Sequence, residues 1–151
     1  MTAPLTIWVP GLVKPKGRPR VTRTGHAYTP ASTRSYEARV ALAAEQAMTK
    51  AGLHEPLTGP LRLRCVALLP VPASWSNRQR QRALSGQRWP TGRPDLDNVI
   101  KIVDALNGIV FQDDSQIVAL QAMKQYAEKP GLVLLFDTLD NNLETDTCKL
   151  S

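Results

Sequence analysis

The chain has 151 residues, 42% of them hydrophobic, with a net charge of +6 and a pI near 9.7. That length suits one domain with a real core, and that charge points to a polyanionic partner. There is no charged segment leading into a long apolar stretch at the start, and no apolar run long enough to span a bilayer, so the reading is of a cytoplasmic protein without signal peptide or membrane contact. The charge is segregated: residues 1–93 carry 15 Lys and Arg against 3 acids, whereas residues 94–151 carry 4 against 10. Two cysteines, Cys65 in an apolar run and Cys148 in a polar tail, form no CxxC or Cys/His spacing, which argues against zinc and against a disulfide framework.

In chain order, residues 5–9 are short, apolar and rich in β-formers, predicting a strand that ends at Pro10-Gly11. Residues 14–23 (KPKGRPRVTR) read as an extended basic arm, because the prolines forbid helix, and residues 24–30 read as a turn or hairpin. A helix starts near residues 30–32, with Thr29 or Ser32 as N-cap. Tyr36, Val40, Ala43, Ala44, Ala47 and Ala51 form its apolar face, and Gly52 stops it. Residues 61–69 alternate Leu and Arg and then turn apolar, predicting a strand with Arg62 and Arg64 on one face. Ser74 caps a short, very basic helix reaching about Leu84, followed by a loop over residues 85–94. Asp97 is the natural N-cap of a helix from Asn98 to about Leu106, which Asn107-Gly108 ends. Residues 116–127 and 132–138 are the last strands, joined by a turn at residues 129–131. The order β-α-β-α-α-β-β predicts an α+β, two-layer domain with a mixed sheet and helices packed against it. It spans residues 1–139, with residues 140–151 a flexible polar tail.

The chemistry gathers in Arg93-Pro94-Asp95-Leu96-Asp97-Asn98-Val99-Ile100-Lys101 and in Phe111-Gln112-Asp113-Asp114-Ser115. In an extended segment Asp95 and Asp97 point to one side, where two carboxylates share a divalent cation. Asp97 reads equally as a helix cap. Lys101 stands one helical turn beyond Asp97, placed to steady a phosphate or to form an i,i+4 ion pair. The Asp113-Asp114 pair supplies a further carboxylate or ordinary turn chemistry. An all-oxygen set of this kind suits Mg²⁺, which keeps several waters. No Ser/His/Asp or Cys/His grouping is evident. Asp95-Leu96-Asp97-Asn98-Val99 fits the DxDxV signature of haloacid-dehalogenase-like phosphatases, but a loop precedes it where that chemistry needs a buried strand. An EF-hand fails for want of its glycine and terminal glutamate.

The combination of Arg93-Pro94-Asp95-Leu96-Asp97-Asn98 with Lys101, Asp104-Ala105-Leu106-Asn107-Gly108 and Asp113-Asp114-Ser115-Gln116-Ile117 resembles the RusA-type Holliday junction resolvases, a family of small bacterial and prophage endonucleases. The arm at residues 16–22 and Pro72-Ala73-Ser74-Trp75-Ser76 resemble phage-type members, so the similarity runs from about residue 5 to 138. The resemblance implies a homodimeric, Mg²⁺-dependent endodeoxyribonuclease (Mn²⁺ substituting) that resolves four-way junctions by paired symmetric nicks in DNA recombination and repair, without a nucleotide cofactor. It implies Asp95, Asp97 and Asp114 as metal-binding catalytic residues, Lys101 as the essential lysine, and Asp113 and Asn98 as supporting groups. Lys14, Lys16, Arg18, Arg20, Arg23, Arg78, Arg80, Arg82 and Arg88 would contact DNA phosphate. One departure stands out: only Ile102-Val103 separate Lys101 from Asp104, one residue fewer than members often have, which rotates Asp104 by about 100° on an α-helix. The competing reading is a branched-DNA-binding protein that does not cut.

Overall fold

A computed structural model of the protein describes residues 4–17, 20–28 and 30–140. The tail beyond Asp140, Cys148, Arg18 and the proposed cap Thr29 lie outside the described residues, as does the side chain of Arg20.

Three strands alternate fully buried residues with half-buried or exposed ones at period two: β1 (Leu5–Pro10), β4 (Leu61–Leu69) and, from Leu132 onward, β6 (Gly131–Thr138). Their inner face carries Leu5, Ile7, Val9, Leu61, Leu63, Cys65, Leu132, Leu134 and Phe136, all buried. Burial pushes the Cys65 thiol up to about 12, so this cysteine is a core residue and not a nucleophile. With β5 (Ile117–Tyr126) these strands make one sheet in the order β1-β6-β4-β5. β6 runs antiparallel to β1 and β4, whereas β4 and β5 are parallel, so the sheet is mixed as expected. The parallel pair follows from the connection: a long crossover, residues 70–116, brings the chain back to the same end of the sheet before β5 begins.

The helix α1 (Ala31–Lys50) lies against the inner face and gives the second layer. Its buried stripe is Thr33, Tyr36, Val40, Ala44 and Met48. Met48 takes the place the sequence reading gave to Ala51, which is exposed just past the helix end, while Ala43 and Ala47 pack at the margin. The start also differs: Pro30 is the cap residue, with no side-chain cap bond, and Ser32 lies inside the helix. Proline suits that place because it needs no N–H there and its φ is already set. Gly52, at φ +73°, ends the helix as its sequence position predicts.

The remaining short elements are a two-residue hairpin, β2 (Arg20–Val21) with β3 (Ala27–Tyr28), and the helices α2 (Asn77–Leu84) and α3 (Leu96–Ile100). The cap of α2 is Ser76 and not Ser74. Ser76 accepts from the Gln79 N–H while the Gln79 side chain accepts from the Ser76 N–H, a reciprocal pair that Ser74 lacks. On the outer face Arg62 donates twice to Asp137, at 3.0 and 3.2 Å, and Arg64 approaches the same carboxylate at 3.7 Å. No helix among the described residues is long and apolar enough to cross a membrane.

Gly131 opens β6 beneath the ring of Trp8. A Cβ at residue 131 would lie 2.1–2.7 Å from three Trp8 ring carbons, so the indole packs where only hydrogen fits. Gly131→Ala is expected to cost about 1–3 kcal/mol by overpacking, read as a fall in Tm. An unchanged melting curve would show that the Trp8 ring moves aside freely.

Candidate acidic site and its basic surroundings

Residues 93–116 position the candidate site, and their local structure decides which carboxylates are available. The cap of α3 is Asp95, with extended backbone, and its carbonyl accepts from the N–H groups of Asn98 and Val99, both at 3.1 Å. The expected cap at Asp97 is therefore displaced by two residues, and Asp97 falls in the first turn. The reason is geometric: Asp95 holds the non-helical ψ that a cap needs, directly after Pro94. Helix begins at Leu96, so Asp95 and Asp97 do not share the extended segment that would turn both to one side. The Asp95 side chain makes no cap bond, and both carboxylates are exposed.

The α-helix lasts only to Ile100, not to Leu106. From Lys101 to Leu106 the chain tightens into a 3₁₀-helix that buries Ile102, Val103 and Leu106. Lys101 still stands one turn above Asp97, since its N–H bonds to the Asp97 carbonyl. Its ammonium donates to Asn98 Oδ1 at 3.3 Å, and among the described residues no ion pair joins it to Asp97. The turn at residues 107–108 closes this segment as expected, with Gly108 at φ +83°. The fully buried Phe111 then anchors the chain before the acidic turn.

That turn explains the Asp-Asp-Ser-Gln pattern. Asp113 caps a 3₁₀ turn (Asp114–Gln116) and is engaged by the Gln116 N–H and the Ser115 hydroxyl. Gln116 returns the contact, accepting from the N–H groups of Gln112 (2.9 Å) and Asp113 (3.2 Å). Its amide also donates to the carbonyls of Leu57 and Gly59. Asp113 is thus committed to holding the turn, while Asp114 is left facing outward. The Ser115 hydroxyl, then the neighbouring Asp114, hold the Asp113 carboxyl below the ordinary range; Asp113, reinforced by Asp104, pushes Asp114 above it. Carboxyl NMR titration is expected to show Asp114 keeping its proton to higher pH than Asp113, with Asp113→Asn bringing Asp114 back down. Coincident titrations would contradict this coupling.

The structure brings Lys101, Asp104 and Asp114 to one hollow of about 220 Å³, floored by Leu63, Val103, Ile117 and Leu120. Asp95 and Asn98 line a separate hollow of about 300 Å³ with Val13, Pro15, Arg93 and Pro94. Among the described residues no three His, Cys, Asp or Glu side chains stand close enough to hold a metal ion together. The donor chemistry is nonetheless that of a hard cation: exposed carboxylates and no soft ligands, in a number that suits Mg²⁺ binding through one or two carboxylates plus water and phosphate oxygens.

The sequence model of the Endodeoxyribonuclease RusA family matches residues 10–135. The chain belongs to the RusA endodeoxyribonuclease family. It is also similar to the uncharacterized protein YqaN of Bacillus subtilis (strain 168), at 38% identity over 129 residues, covering 80% of this chain and 86% of that protein. Family membership makes the RusA-type chain a DNA endonuclease, and the matched span includes Asp95, Asp97, Lys101, Asp104, Asp113 and Asp114 and the basic residues assigned to DNA.

Of the basic residues assigned to DNA in this RusA-type chain, Lys14, Arg23, Arg78, Arg80, Arg82 and Arg88 are exposed. Lys16 is placed differently. Its N–H bonds to the Asn98 carbonyl at 3.0 Å, and its ammonium pairs with Asp104 at 2.9 Å and Glu37 at 3.8 Å. The bond to Asp104 raises its pKa above the ordinary lysine value. The basic arm is thereby tied to the acidic segment at its Lys16 end.

Two residues outside the sequence-derived set organise the site. Asp104 stands beside Asp114 and holds Lys16; its place in the Asp-Ala-Leu-Asn-Gly element was the available signal. Lys124, on β5, donates to the carbonyls of Gly92 (2.7 Å) and Pro94 (3.0 Å), pinning the loop that delivers Asp95. Nothing local in the sequence distinguishes Lys124 from any strand lysine.

Proposed function

We propose that this protein is a Mg²⁺-dependent, structure-selective DNA endonuclease that resolves four-way junctions by paired symmetric nicks. The observation that carries the reading is the family match over residues 10–135, which takes in exposed Asp95, Asp97, Lys101 and Asp114 together. Asp95, Asp97 and Asp114 are the carboxylates from which one or two would hold Mg²⁺, with water and phosphate oxygens filling the remaining positions; when bound, the ion supplies hydroxide near neutral pH and offsets charge on the scissile phosphate. Lys101, steadied by Asn98, donates to a phosphate oxygen and stabilises the charge that develops there. Asp113 and Gln116 fix the turn that carries Asp114. Arg78, Arg80, Arg82, Arg88, Lys14 and Arg23 hold the DNA backbone, giving an affinity that falls with salt.

A homodimer would present two such sites, one to each of two opposed strands, its twofold axis matching that of the junction. The products are nicks a ligase can seal, in keeping with a role in recombination and repair. The rival reading, a branched-DNA binder that does not cut, draws on the absence of a three-ligand cluster among the described residues. An end-labelled synthetic four-way junction, run beside a linear duplex of the same sequence with Mg²⁺ or EDTA, separates the two. Symmetric nicks in the junction alone, lost in EDTA, support resolution. Tight binding without nicks in either Mg²⁺ or Mn²⁺ supports the binder.

A further inference from the structure

Trp89 is 57% exposed. A single exposed apolar side chain is ordinary in itself. What sets this one apart is that the chain is fastened on both sides of it, by a side-chain stack before it and by backbone hydrogen bonds after it. On one side, the Arg88 guanidinium lies 3.9 Å from the centre of the Trp75 ring, and Trp75 meets Tyr126 edge-on at 5.4 Å. On the other, Pro90 is buried and Lys124 holds the carbonyls of Gly92 and Pro94. Lys124 and Tyr126 are two residues apart on β5 and so face the same side of the strand. One strand therefore grips the loop before and after Trp89, and the indole stands out from a fixed base.

The surroundings say what the ring meets. Residues 56–94 contain no Asp or Glu and seven arginines. The exposed Arg78, Arg80 and Arg82 lie on the helix that leads into this loop, and Asp95 follows Trp89 by six residues. Trp89 is the single large apolar residue of loop 85–94. A rigid aromatic face set in a phosphate-attracting surface is the arrangement on which proteins stack bases: the arginines track the backbone, and the ring accepts any base because every base has a π-face. A duplex interior offers no free base face. Base pairs at a branch point are stacked on one side only or opened.

We infer that Trp89 stacks on a nucleobase at the branch point and so determines the preference for branched over linear DNA. The inference rests on the junction reading above and assigns its specificity to one side chain.

The test uses the full chain in EDTA, with a four-way junction carrying a fluorescent base analogue at the crossover and a matching linear duplex. Trp89→Ala is expected to weaken junction binding by about tenfold, the scale of one lost base–aromatic stack. Duplex binding stays unchanged, and the change in analogue fluorescence seen with the unsubstituted protein disappears. Trp89→Phe restores most of both. Equal junction binding and an unchanged fluorescence response in Trp89→Ala would overturn the assignment. So would an equal loss on junction and duplex, or a lower sedimenting mass in Trp89→Ala, which would make the ring a contact between copies of the chain. The unsubstituted protein is measured first: if it binds junction and duplex alike, the junction reading fails and the inference fails with it, before any variant is read.

Discussion

Asp97→Asn is expected to lower junction nicking by about a thousandfold, the scale of losing one group that organises charge at a reacting phosphate. Binding in EDTA should persist or tighten, because a negative charge beside a polyanion has been removed. The substitution is mild for the fold: Asp97 is exposed, and it sits in the first turn of a five-residue helix whose cap is Asp95. An unchanged Tm alongside lost nicking would therefore separate chemistry from stability. Nicking at the unsubstituted rate would remove Asp97 from the proposed metal-binding set and shift attention to Asp104 and Asp114, which share one hollow with Lys101.

Phe111→Ala carries the largest expected effect on stability. The side chain is fully buried, its ring 5.8 Å from that of Phe136, and its carbonyl accepts from the Gly108 N–H at 2.7 Å. Truncation removes the transfer energy of the ring and leaves a cavity, together costing about 3–5 kcal/mol. For a chain of this size that is a fall in Tm of roughly 10 °C. The loss also reaches the site, because Phe111 is the last core residue before Gln112-Asp113-Asp114. Amide exchange at Gln112 and Asp113, both bonded to Gln116, should quicken beyond what the global destabilisation accounts for. A melting point within a degree or two of the unsubstituted protein would mean that the core closes over the gap.

The strands β1, β4 and β6 were legible because short apolar runs bounded by proline and glycine turns read as strands, and the Leu/Arg alternation at residues 61–64 follows directly from strand geometry. The mixed sheet and the helix layer followed from the order of elements. The cap of α2 was misplaced at Ser74, the first serine after the prolines, although the capping-box spacing is that of Ser76-x-x-Gln79. Local pattern was insufficient where two elements compete for the same residues. Asp97 is as good a cap as Asp95 by residue type, and the backbone conformation after Pro94 decided between them. Similarly, the Asn107-Gly108 stop suggested a helix running to Leu106, yet the chain tightens into 3₁₀ from Lys101 onward, where Ile102, Val103 and Leu106 pack into the core.

By itself the sequence determined the charge segregation, the α+β order, the identity of the candidate acidic residues and, through its motif combination, the family. These depend on composition and on spacings within a few residues. Only the tertiary structure decided which acids stand together. Lys16 meets Asp104 across 88 residues of chain, Gln116 ties the acidic turn to the loop at residues 57–59, and Lys124 reaches from an edge strand to hold the segment before Asp95. The physical reason is common to all three: a charge or amide finds its partner through the packing of the sheet and its crossover, and no local spacing encodes a contact that forms only when the core closes.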